Sequence, residues 1–102
     1  MKTIETDCDM ASIKIHTKDV SLFFGNGVGD FANQVKILSK KEKVPKNVEF
    51  LGHFTVKTEA YLSFYDCDNS IAYTFKPGRY FVSLVPNKCI FYIELIDQDI
   101  HA

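Results

Sequence analysis

The chain has 102 residues, of which 46% are hydrophobic and 25% charged, and its net charge of −1 corresponds to a pI near 6.3. This length predicts one domain with one hydrophobic core. The composition is that of a folded globular protein and excludes a disordered chain. A slightly acidic chain does not provide the basic surface that nucleic-acid binding requires, and no apolar run is long enough to span a membrane.

The first ten residues contain no apolar segment of the kind found in secretory signals. Cys8, Cys67 and Cys89 are odd in number and form no CxxC pair, so neither a disulfide framework nor a zinc site is predicted. Reduced thiols are typical of cytoplasmic proteins. We therefore expect a cytoplasmic protein that needs no metal and no organic cofactor.

Short alternating segments predict strands through the first part of the chain. Residues 10–16 and 20–24 place apolar side chains at every second position, and the polar link 17–19 between them predicts a hairpin. Residues 2–7 could add a ragged edge strand. The glycine-rich segment 25–30 lacks the G-x-G-x-x-G spacing of a dinucleotide-binding loop, so we interpret it as a loop between strands.

The middle of the chain contains one ambiguous segment and one long strand. Residues 31–38 fit helical and strand spacing alike, and we interpret them as a strand because their neighbours are β. The lysine-rich segment 39–47 is expected to be a solvated connector. Residues 48–58 alternate, and Gly52 interrupts the row where a bulge would lie. The side chains expected to face the core are Val48, Phe50, Phe54 and Val56.

The last long segment, residues 59–96, divides into four strands separated by turns at residues 66–69, Pro77-Gly78 and Pro86-Asn87. This turn spacing and the high content of Phe and Tyr predict an all-β fold. We expect an antiparallel β-sandwich of about seven or eight strands, forming a single domain over residues 1–102. The inward positions of the four strands are predicted to be Ala60, Leu62 and Phe64; Ile71, Tyr73 and Phe75; Tyr80, Val82 and Leu84; and Cys89, Phe91, Ile93 and Leu95.

The sequence predicts no catalytic residue. His16 and His53 occupy outward positions of predicted strands, and no serine or cysteine stands in a local motif that pairs it with a histidine. Since triads assemble from distant positions, an enzyme that uses His16 or His53 is kept as a less favoured hypothesis.

The acidic turn at residues 66–70 begins with the D-x-D-x-S pattern of a calcium-binding loop. The pattern then fails, because Ile71 stands where such a loop needs glycine and Pro77 where it needs glutamate. We therefore interpret Asp66 and Asp68 as turn residues and predict no metal site.

The segment Tyr73-x-Phe75-x-Pro77-Gly78-x-Tyr80-x-Val82, followed by the apolar strand 90–95, resembles the closing hairpin of small bacterial β-sandwich proteins. Some of these are immunity proteins, including those of contact-dependent growth-inhibition systems, and others are nuclease inhibitors. The resemblance implies a protein that binds the C-terminal domain of a cognate toxin, often a nuclease, and blocks its active site. Carboxylates that imitate phosphates would suit the basic cleft of a nuclease.

Tyrosines at outward positions, flanked by acids, are the residues expected to contact such a partner. The predicted partners include neither nucleic acid nor a membrane. The alternative is a β-sandwich that binds a small ligand or a carbohydrate, which the absence of Trp and of a secretion signal disfavours. The candidate partner-binding residues are Tyr61, Tyr65, Asp66, Asp68, Asn69, Tyr92, Glu94, Asp97 and Asp99.

Overall fold

The computed structural model describes residues 1–7, 12–24, 33–65, 68–85 and 89–98. Across these residues the chain is all-β, as predicted, with no helix long and apolar enough to cross a membrane. The ambiguous segment 31–38 contains a strand. The strands are β1 (Lys2–Glu5), β2 (Ser12–His16), β3 (Ser21–Phe24), β4 (Gln34–Leu38), β5 (Glu49–Val56), β6 (Ala60–Tyr65), β7 (Asp68–Phe75), β8 (Gly78–Val85) and β9 (Ile90–Asp97).

These strands form two sheets, one in the order β1-β4-β9-β8-β5 and the other in the order β3-β2-β6-β7. Their inner faces share one core, to which Ile15 and Leu62 of the four-stranded sheet and Val82 and Phe91 of the five-stranded sheet belong; all four are fully buried. The predicted sandwich is therefore confirmed. The described residues contain nine strands instead of seven or eight, since the segment predicted as a ragged edge pairs with β4 along all of β1.

One strand pair departs from the predicted antiparallel arrangement, because β4 and β9 run parallel. Just before this pair, the carbonyl of Cys89 accepts hydrogen bonds from the backbone amides of Asn33 (3.0 Å) and Gln34 (3.3 Å). Cys89 has a φ of 56°, in the left-handed region, and lies in a turn before β9 rather than in the strand as predicted. A parallel pair needs a long connection, and here the connection contains β5 to β8.

Three aromatic rings join the two sheets. Phe54 and Tyr80 of the five-stranded sheet are stacked with centroids 5.0 Å apart, and Phe75 of β7 lies 5.2 Å from each of them. The buried Tyr80 hydroxyl donates a hydrogen bond of 2.7 Å to the carbonyl of Lys76. Burial, and secondarily the neighbouring Tyr73, raises the pKa of Tyr80. We refer to Phe54, Phe75 and Tyr80 as the inter-sheet ring cluster.

Two side chains predicted to face the core are exposed instead. The register of β5 against β8 shifts between Phe50 and Gly52, so Phe50 lies opposite Ser83 and is 57% exposed. A bulge inserts one residue, and the alternation of inward and outward positions is reversed on its far side. A similar irregularity in the β6–β7 pair accompanies the 61% exposure of Ile71.

We predict that Gly78→Ala destabilises the fold more than Gly52→Ala does. A Cβ atom at Gly78 would lie 2.9 Å from Leu95 Cδ1 and 3.1 Å from the backbone oxygen of Asp97, which is part of the β8–β9 pair. At Gly52 it would lie 3.1 Å from a ring carbon of Phe24, and a ring edge can tilt. Overpacking should cost Gly78→Ala about 1–3 kcal/mol and Gly52→Ala roughly half of that or less. Urea unfolding measures both, and equal losses would contradict the prediction.

Candidate protein-binding surface

The tyrosines among the predicted partner-binding residues do not form one surface, because the structure divides them between the opposite outer faces of the sandwich. Tyr61 and Tyr65 project from β6 on the outer face of the four-stranded sheet, where they alternate with buried residues. Asp68 and Asn69 are the first residues of β7, the neighbouring strand, and not turn residues as predicted. Asp66 lies outside the described residues.

Tyr92 and Glu94 project from β9 on the outer face of the five-stranded sheet, and both are partly exposed. Asp97, the last residue of β9, lies 3.8 Å from the guanidinium of Arg79, so a neighbouring charge already compensates it. Asp99 lies outside the described residues. The core of the sandwich therefore separates Tyr61 and Tyr65 from Tyr92 and Glu94.

Two phenylalanines outside the predicted set form an exposed apolar surface on the five-stranded sheet. Phe50 is 57% and Phe81 39% exposed, and their rings pack edge to face with centroids 5.3 Å apart. The exposed His53 completes the group, with its ring centroid 6.5 Å from that of Phe81. We call Phe50, His53 and Phe81 the β5–β8 aromatic patch. Large apolar side chains that contact one another at the surface are typical of interaction sites.

Strand register places Tyr92 and Glu94 beside this patch. Glu94 lies directly opposite Phe81 in the β8–β9 pair, and Tyr92 lies opposite Ser83, which in turn lies opposite Phe50 in the β5–β8 pair. Glu94 forms no ion pair with any residue that the structure describes. The five-stranded sheet thus presents phenylalanine, tyrosine and imidazole rings next to the carboxylate of Glu94.

On the outer face of the four-stranded sheet, the ammonium group of Lys14 lies over two aromatic rings. The ammonium of Lys14 lies 4.8 Å from the ring centroid of Phe23 and 5.7 Å from that of Tyr65. These two rings pack edge to face with centroids 5.0 Å apart. The contacts are cation–π interactions, which hold the charge of Lys14 over the aromatic side chains of this face.

His16 is held on the same face by three contacts. Its Nε2 atom lies 3.1 Å from the hydroxyl of Ser63, its Nδ1 atom lies 3.2 Å from the hydroxyl of Ser21, and its ring stacks on Tyr61 at 4.3 Å. Burial, with the charge of Lys14 second, lowers the pKa of His16. Ser63 is fully buried, so its hydroxyl is not accessible to a substrate. These contacts give His16 a role in fixing the surface of this sheet.

The described ranges contain no group of three or more His, Cys, Asp or Glu side chains that could hold a metal ion. Cys89 is a free, partly exposed thiol. Cys8 and Cys67 lie outside those ranges.

We predict that His16 makes the stability of the fold depend on pH. The pKa of His16 is lower in the folded chain than in the unfolded chain, where it is about 6.5. Between these two pKa values the unfolded chain therefore binds more protons than the folded chain. The contribution of His16 to the free energy of unfolding is therefore complete above about pH 6.5 and is lost as the pH falls toward the pKa of the folded chain. His16→Gln should remove this dependence, whereas His53→Gln, which changes an exposed histidine, should keep it. Urea unfolding of the three proteins at about pH 7.5 and 5.5 measures the difference; parallel losses in all three would contradict it.

Comparison with known proteins returned no match: no family model matches the chain, and neither a curated protein nor a solved structure is significantly similar to it. The likeness of the closing hairpin to immunity proteins therefore stays a prediction.

Proposed function

We propose that the chain is an immunity protein that acts in the cytoplasm, where it binds the C-terminal domain of a cognate bacterial toxin and blocks the toxin's active site. The toxin class follows from the resemblance of the closing hairpin, Tyr73 to Val82 with the strand 90–95. The single observation that supports the choice of surface is the exposed β5–β8 aromatic patch, which lies beside Tyr92 and Glu94.

The chemistry of this surface suits a nuclease domain. Rings that pack against a partner exclude water from the contact, and aromatic residues are enriched among those that contribute most to binding. Glu94 has no ion-pair partner among the described residues. The Glu94 carboxylate next to the patch would attract the cationic cleft in which a nuclease holds phosphates, and would speed association.

The outer face of the four-stranded sheet suits the same partner less well. Lys14 and His16 lie among its tyrosines, with the Lys14 ammonium over the ring of Tyr65. The charge of Lys14, which lies over the rings themselves, would repel a cationic cleft, and such a mismatch disfavours binding. On the five-stranded sheet, Lys36 lies on β4, which β9 separates from the aromatic patch on β8 and β5. Tyr61 and Tyr65, although predicted as contacts, are therefore assigned to stabilising their own face.

Binding by strand addition is disfavoured at all four outer strands of the two sheets. In the part of the chain that the structure describes, β1 and β3 are four residues long. The outer strands β5 and β7 are longer, and each has a register shift against its neighbour. Short and bulged edge strands resist pairing with a further strand. The partner is therefore expected to contact a sheet face.

The test is co-expression of the chain with the toxin domain that the adjacent reading frame encodes. We expect a complex and protection of the host cell. Phe50→Ser and Phe81→Ser should each weaken the complex by about tenfold or more, as for central aromatic contacts. Glu94→Lys should slow association, most clearly at low salt. Surface plasmon resonance measures the affinities and rates.

Phe23→Ser is the matched control, because Phe23 is 42% exposed on the opposite face. It should bind like the wild type. If Phe23→Ser weakens the complex while Phe50→Ser and Phe81→Ser do not, the choice of face is wrong. Failure of the wild-type chain to form a complex or to protect the cell would refute the immunity function itself.

A further inference from the structure

A cleft of about 420 Å³ opens at one end of the sandwich, between the two sheets. Lys2, Ile37 and Leu95 of the five-stranded sheet line one side, and Tyr73 and Thr74 of β7 line the other. Because β4 and β9 run parallel, both end here, next to the start of β1 and the end of β7. This volume lies in the range of small-molecule binding sites.

The base of the cleft is apolar. Leu38 and Tyr80 are almost fully buried beneath it, and Tyr73 and Leu95 are partly exposed within it. The hydroxyl of Tyr80 already donates to the carbonyl of Lys76, so the tyrosine presents its ring and not an unsatisfied polar group. Such a surface favours contact with the apolar part of a ligand.

The charges that line the cleft are unbalanced. Lys2 and Lys76 form no ion pair with a described residue. Glu42, the acid among the lining residues, accepts hydrogen bonds from the backbone amide (3.1 Å) and the hydroxyl (3.0 Å) of Ser39 and lies 2.9 Å from the amino group of Met1. These contacts, the Ser39 amide first, lower the pKa of Glu42. Its negative charge is thus compensated locally, whereas the ammonium groups of Lys2 and Lys76 have no ion-pair partner in the part of the chain that the structure describes.

We propose that this cleft binds a small amphipathic anion, with its apolar body against Tyr73 and Leu95 and its acidic group within reach of Lys2 and Lys76. Two uncompensated ammonium groups attract one anionic group. Lysine is a flexible point charge that does not require the planar, two-pronged geometry that arginine favours. No residue of the β5–β8 aromatic patch lines the cleft, so this site is independent of the proposed toxin-binding surface.

The probe is octanoate, compared with octanol, which has the same apolar chain and no charge. In a titration followed by ¹⁵N NMR, we expect octanoate to shift the amides of Leu38, Thr74 and Leu95 in a saturable manner. Lys76→Gln and Lys2→Gln should each weaken octanoate binding about fivefold, and added salt should weaken it further. Lys46→Gln, which removes an exposed lysine that does not line the cleft, should leave the affinity unchanged.

Three results would overturn the proposal. One is that octanol binds as tightly as octanoate, and a second is that the Lys76 and Lys2 variants bind like Lys46→Gln. The third is that octanoate produces no saturable shifts, or shifts centred on Phe50 and Phe81. None of these results bears on toxin binding, so the two proposals fail separately.

Discussion

The packing of Phe54, Tyr80 and Phe75 between the two sheets is the interaction on which the rest of the molecule depends. Because these rings occupy the space between the sheets, they fix the position of β5 and β8 relative to β7. The same two strands carry Phe50 and Phe81 on their opposite side. Packing inside the core thus aligns the exposed rings outside it. Tyr80 also lies beneath the end cleft, so the ring cluster connects both candidate sites to the fold.

The bulge in β5 has two consequences that reinforce each other. It breaks the regular row of backbone groups on an eight-residue strand at the edge of its sheet, which hinders pairing with a further strand. It also turns Phe50 outward, next to Phe81. Gly52, just beyond the bulge, faces inward beneath the ring of Phe24, where a larger side chain would be crowded. An edge that resists strand addition therefore borders a face that exposes aromatic rings.

Much of this fold could be predicted from local patterns, because alternation places Leu62, Val82 and Phe91 in the core whatever their partners are. Alternation does not specify which sheet a strand joins. Tyr61 and Tyr92 were both predicted to point outward, and both do, but on opposite faces of the sandwich. The parallel β4–β9 pair was missed for the same reason, since strand order depends on long-range packing.

One of the two phenylalanines of the β5–β8 aromatic patch follows from the alternation along its strand. Phe81 lies between the inward Tyr80 and Val82, so its outward position was available from the pattern. The outward position of Phe50 does not follow from the pattern, because the reversal of inward and outward positions depends on where the bulge falls.

The most direct test of the proposed surface is to map where the toxin domain contacts the ¹⁵N-labelled chain, by the shifts of its amide signals. We expect the largest changes around Phe50, Phe81 and Glu94; changes centred on Phe23 and Tyr61 would contradict binding at the β5–β8 aromatic patch.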